Sequence, residues 1–160
     1  MKPTKSVLPP EIMNHFPSGT GLPTFSQWVA NLVALEQLIG VAGLLAPAFY
    51  EVGNYVFWDE AVAKSLDGKS ASTPFGDDPE SVERYYNVLN LEEFFLSSAD
   101  SSLADEELVL AFGHVLQHFW GLALRVAFPE RTFMFDVLRD PFDEDGICLT
   151  FSQHGSARVK

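Results

Sequence analysis

The segment Phe49-Tyr-Glu-Val-Gly-Asn-Tyr-Val-Phe-Trp58 places two aromatic and β-branched runs on either side of Gly53-Asn54. Such a dipeptide suits a two-residue turn, and the flanking residues favour extended strands. The segment therefore predicts a β-hairpin in which Val52 pairs with Tyr55. Because side chains alternate across a strand, both faces of this hairpin are largely apolar. One face carries Tyr50, Val52, Tyr55 and Phe57, and the other carries Phe49, Glu51, Val56 and Trp58.

A helix is predicted before the hairpin. Thr24 and Gln27 have the spacing of a capping box, and Pro47 lies beyond the expected end of the helix. Four apolar side chains recur between them at helical spacing: Trp28, Leu32, Leu35 and Ile39. After the hairpin, a short helix is expected at 59–66, followed by an exposed loop at 67–78 that contains glycine and proline.

Two further helices are predicted in the second half of the chain. Asp78 ahead of Pro79 is typical of a helix start, and we expect this helix to end near Leu91. The span Leu103–Phe128 predicts a long central helix that Pro129 stops. One side of the central helix is expected to carry the apolar residues Leu108, Phe112, Val115, Phe119, Leu122 and Val126.

Two alternating stretches, 132–139 and 147–153, predict strands. The acidic segment Asp140–Gly146 would join them as an antiparallel pair. The predicted fold class is therefore α+β, with about three main helices packed on a small antiparallel sheet of about four strands, arranged as two hairpins.

The chain is long enough for one domain, because its 160 residues are 47% apolar and can bury a substantial core. Residues 1–23 are rich in proline and lack a sustained apolar period, so we interpret them as an N-terminal arm. Residues 24–155 are predicted to form a single α+β domain, with 156–160 as a C-terminal tail.

The composition argues against several classes of function. The formal net charge of −12 repels a phosphate backbone, so nucleic-acid binding is not expected. The most apolar window, 28–46, is interrupted by Asn31, Glu36 and Gln37, so no membrane span is expected. A single cysteine, Cys148, cannot form an internal disulfide, and we infer a cytoplasmic location.

The central helix carries the candidate metal ligands. His114 and His118 are four residues apart and project from one side of the helix, which Glu107 shares. Val115 stands where a His-Glu-x-x-His motif has its glutamate, so the metalloprotease motif is not met. The alternative interpretation is the polar stripe of an otherwise buried helix. The sequence has no nucleophile elbow, phosphate-binding loop or dinucleotide fingerprint, and no cofactor is expected.

The negative charge is concentrated in one part of the sequence. Residues 77–145 hold sixteen acidic and four basic residues, a net charge of −12, and the remainder is neutral. We expect this excess to give one side of the domain a negative field, although solubility alone is an alternative explanation. The aromatic face around Trp58 is explained by core packing under a helix. If this face is open instead, an apolar patch rimmed by carboxylates is typical of a protein-binding surface. The candidate partner-binding residues are Trp58, Asp136, Asp143, Glu144 and Asp145.

Several stretches resemble a set of small bacterial proteins described only as uncharacterised. They are Leu45–Trp58, Asn87–Phe95, Trp120 ahead of Phe128–Arg131, and Leu149–Gln153. The resemblance extends over residues 35–153. It implies a compact bacterial α+β domain and assigns no catalytic or binding residue.

These observations lead to two main hypotheses. The first is a non-catalytic cytoplasmic binding protein whose acidic aromatic surface engages a basic protein partner, in the manner of an immunity or inhibitor protein. The alternative is a small metal-dependent enzyme centred on His114 and His118, with Glu107 as a further ligand. A homodimer subunit is a third possibility.

Overall fold

The computed structural model describes residues 7, 8, 12, 25–95 and 101–154. Over these residues the chain has the predicted α+β class, with five α-helices and two small antiparallel sheets. The prediction of about three helices and one sheet of about four strands is therefore wrong in detail. The predicted cap at Thr24, most of the 1–23 arm and the 156–160 tail lie outside the described residues; Ile12, within the arm, is buried.

The bounds of the elements follow the chain in order. The helices are α1 (Phe25–Leu32), α2 (Leu35–Leu45), α3 (Glu60–Leu66), α4 (Pro79–Tyr86) and α5 (Glu106–Ala127). The strands are β1 (Tyr50–Val52), β2 (Tyr55–Phe57), β3 (Leu89–Asn90), β4 (Phe133–Arg139) and β5 (Ile147–Gln153). None of these helices combines the length and the apolar character that crossing a bilayer requires.

The hairpin β1–β2 has the predicted register, with Val52 opposite Tyr55. Gly53 takes φ +61° in the turn, a conformation that glycine adopts without steric cost. Both apolar faces are covered. Phe57 packs with Val82 and the α3 side chains, whereas Val56 faces the main core.

The three-stranded sheet has the order β3-β5-β4, so β5 is its central strand, and all seven residues of β5 are buried. Ile147, Leu149 and Phe151 face α5 in the main core. On the opposite face, the Thr150 hydroxyl donates to the Arg84 carbonyl of α4 at 2.6 Å. The sheet therefore lies between α5 and α4.

The buried side of α5 is not the predicted one. Its core residues are Val109, Ala111, Gly113, Leu116, Trp120 and Leu124. Two residues of the side that periodicity predicts to be buried, Leu122 and Val126, are exposed, and Val126 has 84% of its surface accessible. Because α5 is apolar on most sides, periodicity alone does not identify the side that faces the sheet. The side is instead set by Trp120, whose indole N–H donates to the Leu44 carbonyl of α2 at 2.9 Å.

The predicted N-terminal helix is divided into α1 and α2. Ala34 between them is extended, with ψ 146°, and its N–H donates to the Gln37 side chain at 3.2 Å. Two members of the predicted apolar stripe, Leu35 and Ile39, are exposed. The helix α2 ends before Pro47, as expected, and Leu44 packs against the main core.

The helix α4 starts as predicted but ends at Tyr86 instead of near Leu91. Its start is capped by Asp78, whose carboxylate accepts from the Ser81 N–H at 3.0 Å. After Asn87 the chain turns into β3, where Leu89 lies opposite Leu149 of β5. Pairing with the central strand therefore replaces the last turn of the predicted helix.

Side chains of α4 join the hairpin to the sheet. The buried carboxylate of Glu83 accepts from the Val56 N–H of β2 at 2.8 Å and from the Gln153 N–H of β5 at 2.6 Å. One turn later, the Asn87 amide donates to the carbonyls of Val56 at 2.8 Å and Phe151 at 3.3 Å. The Trp58 N–H donates to the other end of the same amide at 3.2 Å. The strands β2 and β5 are therefore joined through the side chains of Glu83 and Asn87 and not by direct backbone pairing, and two separate sheets form.

The buried carboxylate predicts a pH dependence of stability. Burial raises the pKa of Glu83 above its usual 4.5, against the opposing effect of hydrogen bonds from Gln153 and Val56. A pKa that is higher in the folded state contributes stability below the unfolded pKa, and this stability is lost as the pH rises through the folded pKa. We expect the free energy of unfolding of the wild type, relative to Glu83→Gln, to fall as the pH rises from the ordinary pKa of 4.5 through the raised pKa of the folded state. Denaturant titrations of both proteins measure it; a difference that grows with pH contradicts the prediction.

Two glycines of α5 form a matched pair for testing how closely this helix approaches the sheet. A methyl group on Gly113 would lie 2.8 Å from Leu91 Cδ1 and 2.9 Å from Val137 Cγ1, so Gly113→Ala should destabilise the protein by about 1–3 kcal/mol. A methyl group on Gly121 would meet Phe135 Cε2 at an ordinary 3.6 Å, so Gly121→Ala should stabilise it by up to about 1 kcal/mol. Thermal unfolding that ranks the two variants equally would contradict the packing.

Candidate functional site

A cleft of about 290 Å³ opens where α4, β3 and the β4–β5 loop meet. We call it the aromatic cleft; its lining residues are Tyr85, Tyr86, Val88, Asn90, Glu93, Phe142 and Glu144. The Phe142 ring lies 5.1 Å from the Phe75 ring and 5.9 Å from the Tyr85 ring, measured between centroids. The cleft thus combines ring faces and edges with two carboxylates.

The β4–β5 loop places Phe142 through an unusual backbone. Asp140, Phe142 and Asp143 have φ values of +50°, +55° and +65°, a region that residues with a Cβ seldom occupy. Asp140 closes the loop, since its N–H donates to the Gly146 carbonyl at 2.8 Å and its carboxylate accepts from the Gly146 N–H at 2.6 Å. Such conformations persist where surrounding contacts fix them, and they cluster at functional sites.

Carboxylates gather around this end of the molecule. Burial, together with the negative charges of Glu144, Glu92, Asp140 and Glu93, raises the pKa of the Cys148 thiol to about 11. Four carboxylates from two separate segments therefore act on one buried atom in β5.

The structure brings together only some of the candidate partner-binding residues. Glu144 lines the aromatic cleft. Its neighbours in the chain, Asp143 and Asp145, are exposed in the same loop. Asp136 lies on the α4 side of the sheet and forms an ion pair with Arg84 at 2.8 Å. Trp58 is half-buried on the other side, with its ring 5.7 Å from that of Trp120. Trp58 and Asp136 therefore do not share a surface.

Sequence reasoning missed the aromatic members of the cleft. Phe75 and Phe142 lie in connections between helices and strands, where no hydrophobic period marks them. The signal available in the sequence was one large aromatic residue in each of two segments that are rich in glycine or acidic residues. Exposed aromatic residues in loops are more informative about binding than those in periodic elements.

The candidate metal ligands lie at a second site. His114 and His118 line a groove of about 590 Å³ between α5 and the start of β4, which we call the basic groove. Its other lining residues are Gln117, Gly121, Arg125, Pro129, Arg131, Thr132, Phe133 and Phe135. Glu107 lies outside this lining, about 10 Å along the helix axis from His114. Over the described part of the chain, no three His, Cys, Asp or Glu side chains are grouped to hold a metal ion.

Comparison of the chain with protein-family models, curated proteins and solved structures gave no match. The resemblance to small bacterial proteins stays a prediction.

The environment of Cys148 predicts a slow thiol. A pKa of about 11 in place of 9.0 lowers the thiolate fraction at neutral pH about a hundredfold, and the side chain is fully buried. We expect iodoacetamide to alkylate Cys148 in the folded protein at least a hundredfold more slowly than in protein unfolded by guanidinium. Mass spectrometry of timed samples measures both rates, and equal rates would contradict the placement of Cys148.

Proposed function

We propose that this chain is a cytoplasmic, non-catalytic binding protein that engages a basic protein partner through the aromatic cleft and the carboxylates around it. By class it is immunity- or inhibitor-like, masking a cationic surface of the partner. The observation that carries the proposal is that Phe75, Tyr85 and Phe142 meet beside Glu93 and Glu144.

The chemistry of the cleft matches a lysine or arginine side chain. A cation placed over an aromatic face within about 6 Å is attracted by the ring quadrupole, and the attraction increases when water is excluded. A carboxylate beside the rings adds a charge-assisted hydrogen bond to the same cation. Glu93 and Glu144 line the cleft from two segments, so one inserted cation is in reach of both.

The surrounding charge supports association with a basic partner. The chain has a net charge of −12, and Glu92, Asp140, Asp143 and Asp145 lie in the same two segments as the lining carboxylates. A field of one sign accelerates the encounter with an oppositely charged surface and disfavours acidic partners.

The loop also supports binding by limiting the entropy lost on association. Asp140 closes the loop through two hydrogen bonds with Gly146, and the Asn90 amide donates to the Asp145 carbonyl at 2.7 Å. A loop that is held before the partner arrives loses less conformational freedom on binding.

Charge reversal tests the proposal. The double variant Glu93→Lys with Glu144→Lys changes the two cleft carboxylates, whereas Glu36→Lys with Glu60→Lys makes the same charge change on exposed residues of α2 and α3. Used as bait in an extract of the native cell, the wild type and the control pair should retain a basic protein that the cleft variant loses at least tenfold.

Salt provides the second arm of this experiment. Retention by the wild type should decrease steeply as the ionic strength is raised, since the rim charges are screened. Capture that is insensitive to salt and equal in the two charge-reversed variants would refute the proposal, and so would a captured partner with an acidic surface.

A further inference from the structure

We propose that the basic groove binds a small organic anion, with a phosphate or carboxylate group held by His118, Arg125 and Arg131 and an apolar body against Phe133 and Phe135. This site lies on the α5 side of the sheet, away from the aromatic cleft, and the inference does not depend on the proposed protein partner.

The helix places its donors in one line along the groove. His114, His118, Gly121 and Arg125 are separated by four, three and four residues, so they share one side of α5. Gly121 has no side chain, and the Phe135 ring packs close to it, since a methyl group on Gly121 would already touch Phe135 Cε2 at 3.6 Å. On this side of α5, therefore, no side chain stands between the imidazole of His118 and the guanidinium group of Arg125.

The two arginines of the groove have unused donors. Arg125 is exposed, and no carboxylate in the described part of the chain forms an ion pair with it. Arg131 lies over the Phe128 ring at 5.2 Å and pairs with Glu51 through Nη2. Its Nη1 is buried and has no hydrogen-bond partner among the described residues.

The charge of the groove decides the class of ligand. Two guanidinium groups line the same space as His114 and His118, and a guanidinium cannot release its proton at physiological pH. Glu51 balances the charge of Arg131, so Arg125 is the uncompensated cation of the groove. A divalent cation would be repelled there, whereas the planar donors match the oxygens of a phosphate or carboxylate. This local positive charge occurs in a protein of net charge −12, so an anion reaching it must be recognised by the groove itself.

The shape of the groove decides the size of the ligand. A volume of about 590 Å³ is within the range of small-molecule sites, and Pro129, Phe133 and Phe135 give it an apolar wall. An inorganic ion would leave most of this wall uncovered, so we expect an anion that carries a ring or an aliphatic body.

Titration with simple compounds tests the site. The probes are phenyl phosphate and phenylacetate as the two anion types, inorganic phosphate as an anion without an apolar body, and benzyl alcohol as an uncharged ring. Two-dimensional NMR of the labelled protein should show saturable shifts at Gly121, Arg125 and Phe135 with one or both ring-bearing anions, at least tenfold weaker shifts with inorganic phosphate, and none with benzyl alcohol.

Variants then separate the groove from the rest of the surface. Arg125→Gln removes the unpaired charge, and Gly121→Met fills the groove. Each variant should lower the affinity for the tighter-binding probe at least fivefold. The matched control Arg139→Gln removes an arginine that pairs with Glu106 outside the groove, at 2.6 Å, and should bind as the wild type does. If Gly121→Met does not fold, the comparison of Arg125→Gln with Arg139→Gln decides the result without it.

Each result has a defined meaning. Saturable binding that Arg125→Gln and the Gly121 variant weaken supports the site, and the better probe identifies phosphate or carboxylate as the preferred group. Failure of the wild type to bind either ring-bearing anion below about 10 mM overturns it, as does equal affinity in Arg125→Gln and Arg139→Gln. Because the cleft variant Glu93→Lys with Glu144→Lys should keep its anion affinity, failure of this site is distinguishable from failure of the proposed function.

Discussion

The buried hydrogen bonds of Glu83 and Asn87 are the interaction on which the rest of the structure depends. Glu83 lies on α4 and Asn87 lies one turn later, at the C-cap of the helix. Both side chains bond to the backbones of β2 and β5, so one helix holds two sheets in place. The Gln153 side chain completes the arrangement by donating to Glu83 and to the Asn54 carbonyl. A buried carboxylate with three donors is costly to form and more costly to break, which gives the network a single acceptable geometry.

The network also determines where the two candidate sites lie. Because α4 is fixed against the outer face of β5, Tyr85 meets Phe142 and the aromatic cleft opens on that side. The hairpin fills the core beside Trp120, and α5 packs on the face of β5 opposite α4. The residues His118, Gly121 and Arg125 of α5 therefore face the start of β4. One side of the sheet thus carries aromatic rings with carboxylates, and the other carries imidazoles with guanidinium groups. The two surfaces suit ligands of opposite charge.

Local chemistry predicted much of the fold. Gly53-Asn54 specified the hairpin and its register, Asp78-Pro79 specified the start of α4, and alternation specified β4 and β5. The failures have a common cause in tertiary contacts. The local sequence does not show that the Asn87 side chain forms hydrogen bonds with two strands, where α4 ends. It also does not show which side of the largely apolar α5 faces the sheet. Glu144 was found from charge alone, whereas Phe142 depends on a left-handed backbone that only the closed loop shows.

Amide hydrogen exchange at Val56 tests the central claim most directly. The Val56 N–H donates to a side chain of α4 and to no neighbouring strand. We predict that it exchanges as slowly in the wild type as the amide of Leu149 in the central strand, and that Glu83→Ala speeds its exchange far more than that of Leu138, which pairs with Cys148 in the β4–β5 ladder. Rapid exchange at Val56 in the wild type, or equal acceleration at Val56 and Leu138 in the variant, would contradict the account.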